Sequence, residues 1–233
     1  MRNFNFKTPT NTKEATKLIS SRATFLAGGM TLLPAIKLRL AAYSDLINIK
    51  KIKSLSGIKV SSKSLKIGST TTHATVASSK EVVKSIPSLA LLADGIGDPQ
   101  VRNRGTIGGS IANNDPAADY PSACLALNAI IHTNKRKISA DKFFKGIFET
   151  DLKKSELIES VEFEIPKKSS YAKFPNPASR YAIVGVYVAK LKKEVRVAIT
   201  GVESFVFRCK KLEEALSNNF SPSAIDNVNI SSK

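Results

Sequence analysis

Two short glycine turns, Ala27-Gly28-Gly29-Met30-Thr31 and Thr106-Ile107-Gly108-Gly109-Ser110, constrain this 233-residue chain more than any other feature. Adjacent glycines admit positive φ and let the backbone approach a neighbour or a ligand without a Cβ in the way. Successive N–H groups in such a turn can form an anion-binding concavity, reinforced where a helix follows. Thr24 to Ala27 reads as a buried strand stopped by the first glycines, and Leu32, Leu33, Ile36 and Leu40 recur at helical spacing, with Pro34 in the first turn. The first turn is therefore a strand–Gly-Gly–helix unit. Two ordinary tight turns would account for the same glycines. Two nests flanked by Thr and Ser hydroxyls would suit a diphosphate gripped from both sides.

The familiar mononucleotide motifs do not fit. There is no GxxxxGK[ST], and the run Gly95-Ile96-Gly97-Asp98-Pro99-Gln100 breaks GxGxxG because Gln100 stands at the last glycine and Pro99 obstructs the helix. Asp115-Pro116 reads as a helix cap followed by a first-turn proline. Asp119 follows the second glycine turn closely and is placed to accept from ribose or ribityl hydroxyls. His73 and His132 lack a Ser, Cys or Asp at triad-like spacing and read as structural. Cys124 reads as core and Cys209 as exposed; with no CxxC, neither a zinc site nor an iron–sulfur cluster can be built from this chain alone. No nucleophile–base pair can be assembled either, so any chemistry here is borrowed from a cofactor.

Along the chain, Asn11 and Glu14 predict a capping box for a helix reaching Ile19. Strands are predicted over 45–49, 58–60, 65–69, 129–132, 137–139, 158–165, 181–191 and 195–202. Helical pieces are predicted over 72–79, 81–86 and 89–96, from Pro121 through Leu127, near Phe143 and near Leu212 to Leu216. Between Gly97 and Pro121 lies a polar loop of about 25 residues, ordered by Val101, Ile107 and Ile111. Lys167 to Ser170 is the best candidate linker.

The net charge is +17, from 36 Lys plus Arg against 19 Asp plus Glu. The lysines fall as scattered pairs beside predicted turns, and there is no Trp and no interleaved aromatic stripe, which argues for a solvated surface over nucleic-acid binding. An acidic partner or the membrane face is the other use of such a surface. The start, MRNFNFKTPT, has no apolar h-region, and no apolar run approaches the ~20 residues of a membrane span, so a cytoplasmic location is expected.

Three long segments, FLAGGMTLLPAIKLRL, IGDPQVRNRGTIGGSIANNDPAADYP and KFPNPASRYAIVGV at 173–186, resemble the FAD-binding medium subunits of the molybdenum hydroxylases. The resemblance is nearest to the aerobic carbon monoxide dehydrogenase type, with xanthine dehydrogenase more distant. It implies an α+β fold: an FAD-binding region of two α+β subdomains of the PCMH/vanillyl-alcohol-oxidase type, then a small C-terminal domain with an antiparallel sheet and helices. The expected boundaries are 1–169, with subdomains about 1–55 and 56–169, and 170–233. By the same resemblance Ala27, Gly28, Gly29, Met30 and Thr31 match one flavin loop, and Thr106, Ile107, Gly108, Gly109 and Ser110 the other. Asp119 matches a flavin-contacting Asp, Lys173 a Lys near the cofactor, Tyr181 an aromatic beside the isoalloxazine and Ile158 an apolar residue at the ring.

The resemblance further implies the cofactor FAD, with the molybdenum cofactor on a large partner subunit and two [2Fe–2S] clusters on a small one, in a dimer of heterotrimers. The chain would then relay electrons to an external acceptor such as a quinone, with the inner face of the membrane as a place where it would do so. Carbon monoxide dehydrogenase is the first expectation, and a xanthine, aldehyde or aromatic-substrate hydroxylase the alternative; a nucleic-acid-binding or scaffold module is the rival from another class. Met30 stands where relatives often carry Gln or His. The chain stops at Ser231-Ser232-Lys233, where relatives continue into a helical segment, so the C-terminal domain is expected to be truncated.

Overall fold

A computed structural model describes residues 2–230; Met1 and the Ser231–Lys233 end discussed above lie outside the described residues. The first unit comprises β1 (Asn5–Lys7), α1 (Thr12–Lys17), β2 (Ala23–Leu26), α2 (Leu32–Lys37) and β3 (Asp45–Asn48). Its strands are parallel in the order β1-β3-β2, so the chain crosses over through each helix. Asn11 caps α1 by accepting from the Glu14 N–H at 2.9 Å. The Glu14 carboxylate returns to the Thr10 N–H at 2.8 Å, one residue earlier than a capping box requires. Helix α2 ends three residues before Leu40, because the N–H groups of Leu40 and Ala41 both return to the Ala35 carbonyl through Arg39 at φ 61°. Leu38 and Leu40 are left exposed.

The second unit is built on an antiparallel sheet of β4 (Ile58–Val60), β5 (Ser64–Gly68), β6 (Ile130–Thr133), β7 (Lys137–Ser139) and β10 (Ile158–Glu164), in the order β4-β5-β10-β6-β7. Between β5 and β6 lie α3 (His73–Ser78), α4 (Lys80–Ser85), α5 (Pro87–Asp94), α6 (Pro99–Arg104), α7 (Ile107–Asn113) and α8 (Tyr120–Ala126); α9 (Ala140–Phe143) and the hairpin β8 (Phe144–Gly146)–β9 (Glu149–Thr150) follow β7. The expected 25-residue loop is thus largely helical. Asp98 caps α6 by accepting from the Val101 N–H at 2.8 Å, and Thr106 caps α7 by accepting from the Gly109 N–H at 3.1 Å. The side-chain caps steady two short helices, and the Thr106 cap makes up for the poor helix propensity of the two glycines in α7. Asp115 is no helix cap: its carboxylate accepts from the Ala117 N–H at 2.9 Å in a turn, and α8 begins five residues later.

The third unit is a second antiparallel sheet, β11 (Lys168–Pro175), β12 (Ala182–Lys190), β13 (Val195–Thr200) and β14 (Phe207–Arg208), backed by α10 (Lys210–Asn218). Of residues 167–170, expected as linker, Lys167 already donates its N–H to the Lys190 carbonyl at 2.8 Å and 168–170 pair with β12, Ser169 opposite Ala189. No linker intervenes because the two sheets are packed together. Tyr187, Ala189 and Ala198 join Leu89, Ala123, Cys124 and Phe163 in one apolar core. Arg196, buried, crosses the same junction, donating to the Leu125 carbonyl at 3.1 Å and pairing with Asp141 at 3.1 Å. A smaller core under the first sheet holds Ala15, Ile47, Ile52 and Leu157. Cys124 is core as expected; Cys209, expected outside, is buried beside Val197 and Leu212, because it sits where β14 turns onto α10.

Candidate functional site

A cleft of about 620 Å³ opens where the three units meet. One wall is the first glycine turn with Ala35, Ala41 and Tyr43; the opposite wall is the α6–α7 corner; Ile158 and the 179–181 segment complete it. The two glycine turns approach through backbone. A Cβ on Gly28 would lie 2.2 Å from the Arg104 carbonyl oxygen and 2.8 Å from the Gly105 Cα, and Gly29 has φ +77°. Their residue type is set by this close approach.

The two turns differ in what they offer a ligand. Among the described residues, no acceptor takes the N–H groups of Gly28, Gly29, Met30, Thr31 or Leu32. Five successive free donors at the start of α2 form a concavity suited to an anion. The second turn is not such a nest. Its N–H groups are spent internally: Ile107 on the Thr71 carbonyl at 3.1 Å, Gly108 on the Ser69 carbonyl at 2.9 Å, Gly109 on Thr106 Oγ1 and Ser110 on the Thr106 carbonyl. Gly108 is required by packing, since its Cβ would lie 2.5 Å from that of Ser69. The Cβ direction of Gly109 meets only Thr106 Oγ1, at 2.9 Å, and Gly109 lines the cleft.

Of the residues singled out in the sequence, Ala27 to Thr31, Thr106, Gly108, Gly109, Ser110, Asp119, Ile158 and Tyr181 all line this cleft. Ile107 and Lys173 do not. Ile107 is fully buried in the core, and Lys173 is drawn behind the wall. There its ammonium donates to the carbonyls of Gly95 at 2.8 Å and Arg180 at 2.9 Å and pairs with Asp119 at 3.1 Å. Asp119 also accepts from the Tyr171 hydroxyl, so its Oδ1 is held by two side chains from one face of β11. Burial pushes the Asp119 carboxyl above its ordinary range, against the pull of the Lys173 ammonium and the Tyr171 hydroxyl. Burial, then the charges of Asp115 and Asp119, raise the Tyr181 phenol.

Ser69, His73 and Arg180 line the cleft without having been singled out as site residues. Burial, then the charge of Arg102, lowers the His73 imidazole to about 4, so it is neutral at neutral pH. His132 is far less buried and pairs with Glu162 across β6 and β10 at 2.7 Å, a structural position. The polar run Ser69-Thr70-Thr71-Thr72-His73 at a strand-to-helix corner was the only sequence signal for the first two. Arg180 carried none beyond its neighbour Tyr181. A larger, shallower groove of about 880 Å³ near Lys84, Lys167 and Lys168 has no glycine turn at its wall.

The residues fit a dinucleotide cofactor: five unpartnered donors for its diphosphate, and glycines whose side chains would fill the cradle. Residues 2–168 match the family of the FAD binding domain in molybdopterin dehydrogenase. The glyceraldehyde dehydrogenase medium chain of Sulfolobus acidocaldarius is 36% identical over 81% of this chain and 71% of its own length. The nicotine 6-hydroxylase medium subunit of Paenarthrobacter nicotinovorans is 30% identical over 92% of this chain and 80% of its own. Among solved structures, a carbon monoxide dehydrogenase from Hydrogenophaga pseudoflava, which lacks the Mo-pyranopterin moiety of the molybdenum cofactor, superposes with TM-score 0.90 at 34% identity, covering 96% of this chain and 84% of that one. Three different substrates thus stand behind one medium-chain architecture. The cleft, its glycine turns and these likenesses together place the chain in the FAD-binding domain family of the molybdopterin dehydrogenases.

Proposed function

We propose that this chain is the FAD-carrying electron-transfer subunit of a molybdenum hydroxylase complex of the carbon monoxide dehydrogenase type. It accepts electrons from [2Fe–2S] clusters on a small partner subunit, reduced by substrate oxidation at the molybdenum cofactor of a large one, and delivers them to an external acceptor. The row of free N–H groups at Gly28 to Leu32 carries the reading, because it supplies donors for a diphosphate in a chain that matches an FAD-binding domain family. FAD, when bound, supplies a redox centre that takes up single electrons and gives them up in pairs.

The chain's own residues bind and orient. Thr31, Thr106 and Ser110 offer hydroxyls beside the glycine turns, Ile158 an apolar contact, and Tyr181 an aromatic face for the ring system. Lys173 and Asp119 act as a strut: the buried ion pair fixes the Gly95 and Arg180 carbonyls and with them the 179–181 wall. The regions about 1–55 and 56–169 each supply one glycine turn, and 170–233 supplies the wall carrying Tyr181. The carbon monoxide type is favoured by the likeness over 96% of the chain. The choice of substrate belongs to the large subunit.

The test is an absorbance spectrum of the purified protein with chromatography of any released cofactor. A flavin spectrum releasing FAD on denaturation is expected. A protein that stays colourless after FAD addition and after co-expression with both partner subunits would overturn the proposal.

A further inference from the structure

Side-chain polar atoms buried without a partner are few among the described residues: Ser69 Oγ, His73 Nδ1, Asn114 Oδ1 and Tyr120 OH. Leaving one such group unpaired costs about 1–3 kcal/mol, so their placement is informative. Asn114 lies outside the cleft wall, its amide nitrogen holding the carbonyls of Gly146 and Glu149. The other three gather at one corner. Ser69 follows β5, His73 opens α3, and Tyr120 opens α8 with its ring 5.3 Å from the imidazole. Ser69 is 3% exposed and His73 5%, yet both line the cleft.

Both side chains are held in place by glycine. The α6–α7 corner rests on them, a Cβ at Gly105 falling 2.5 Å from His73 Nε2 and one at Gly108 2.5 Å from the Ser69 Cβ. The His73 backbone N–H donates to the Gly105 carbonyl at 3.0 Å, and the Ser69 carbonyl accepts from Gly108. Two preorganised polar groups therefore sit in the cleft floor with no protein partner for either.

Their chemistry selects the ligand. A hydroxyl and a neutral imidazole each both donate and accept, whereas a phosphate oxygen uses donors only. The matching partner is another group that does both, the hydroxyl of a sugar alcohol. Asp119 gives Oδ1 to Lys173 and Tyr171 and offers Oδ2 only as an acceptor, so it does not replace a group that also donates. We propose that Ser69 and His73 bind hydroxyls of a polyol chain, the ribityl segment of the FAD assigned above, so that the first glycine turn holds the diphosphate and this corner holds the chain. The inference rests on that FAD assignment.

The experiment measures FAD affinity of the deflavinated full chain by flavin fluorescence, for wild type, Ser69→Ala and His73→Phe, with melting curves to confirm folding. FAD and its 2′-, 3′- and 4′-deoxyribityl analogues are the probes. Each variant should bind FAD about tenfold more weakly and bind one particular deoxy analogue as wild type does. Variants that hold FAD as tightly as wild type, or lose the same factor for every analogue, overturn the inference alone. A wild type that binds no flavin, alone or after co-expression with both partner subunits, overturns the FAD assignment and this inference with it. Should His73→Phe not fold, Ser69→Ala decides.

Discussion

Replacing Gly109 with valine separates a glycine that serves the cleft from one that serves the fold. The new Cβ meets one neighbour, Thr106 Oγ1 at 2.9 Å, and otherwise points into open space. Contact requires Thr106 to give by a few tenths of an ångström, which weakens the cap bond from the Gly109 N–H, worth about 1 kcal/mol. Against this, a helical Gly replaced by Val gains about 0.3–0.5 kcal/mol of propensity. The net loss is under about 1 kcal/mol, or roughly 2–4 °C in Tm for a chain of this size. The cofactor meets a different balance. An isopropyl group on the wall opposite the first glycine turn narrows the cleft and pushes the diphosphate away from that turn's donors, and each charge-assisted hydrogen bond lost is worth about 1.5–3 kcal/mol, so FAD affinity should fall about tenfold to a hundredfold. Gly28→Ala is the contrasting case, because its Cβ would lie 2.2 Å from the Arg104 carbonyl oxygen. The walls would have to separate by about 1 Å, costing about 1–3 kcal/mol of stability before any cofactor is added. Titrating FAD into each deflavinated variant and melting each apoprotein reads both quantities. Unchanged FAD affinity in Gly109→Val, or an apoprotein Tm lower than that of Gly28→Ala, would refute the division of labour.

Asp119→Ala should leave the Lys173 ammonium buried and unpaired, and Lys173→Met should do the same to the Asp119 carboxylate, each costing about 3–5 kcal/mol in a urea melt, while the double variant Asp119→Ala/Lys173→Met should cost less than the two single losses summed. The His73 imidazole, lowered to about 4 in the folded state from 6.5, binds its proton more readily when unfolded. Its contribution is therefore complete above pH 6.5 and is lost as pH falls toward 4, by up to about 3 kcal/mol, a slope that Ser69→Ala should keep and His73→Phe should abolish in pH-dependent melts. Cys124 and Cys209 are both buried, so a thiol reagent should modify neither until denaturant is added.

The glycine turns were legible because their function and their packing demand the same residue. Gly28 and Gly108 have no room for a Cβ, and the turns stay recognisable however their surroundings vary. The helices α6 and α7 were not, because six- and seven-residue helices built from Gly, Asn and Arg are held by the Asp98 and Thr106 side-chain caps and by the walls they lean on. The resemblance could assign Asp119 and Lys173 to the flavin, but no spacing could tell that they pair with each other across 54 residues of sequence. His73 read as structural because a lone histidine without a nucleophile nearby carries no signal; its meaning lies in a missing partner, which only coordinates reveal. Cys209 was misplaced since its burial depends on α10 folding back over β13.

The shared core of the two sheets bears on how the protein is made. Residues 2–168 carry the family likeness, yet the side of α8 that faces the second antiparallel sheet is covered by β12 and β13, which end at Thr200. On a ribosome adding about 5–20 residues per second, that face would stay bare for several seconds after Ala126 has emerged. A nascent chain with this order of elements is a natural client for chaperones. Its cleft is complete only after Tyr181 and the strands that hold it have emerged, since they are the last parts of the cleft to arrive.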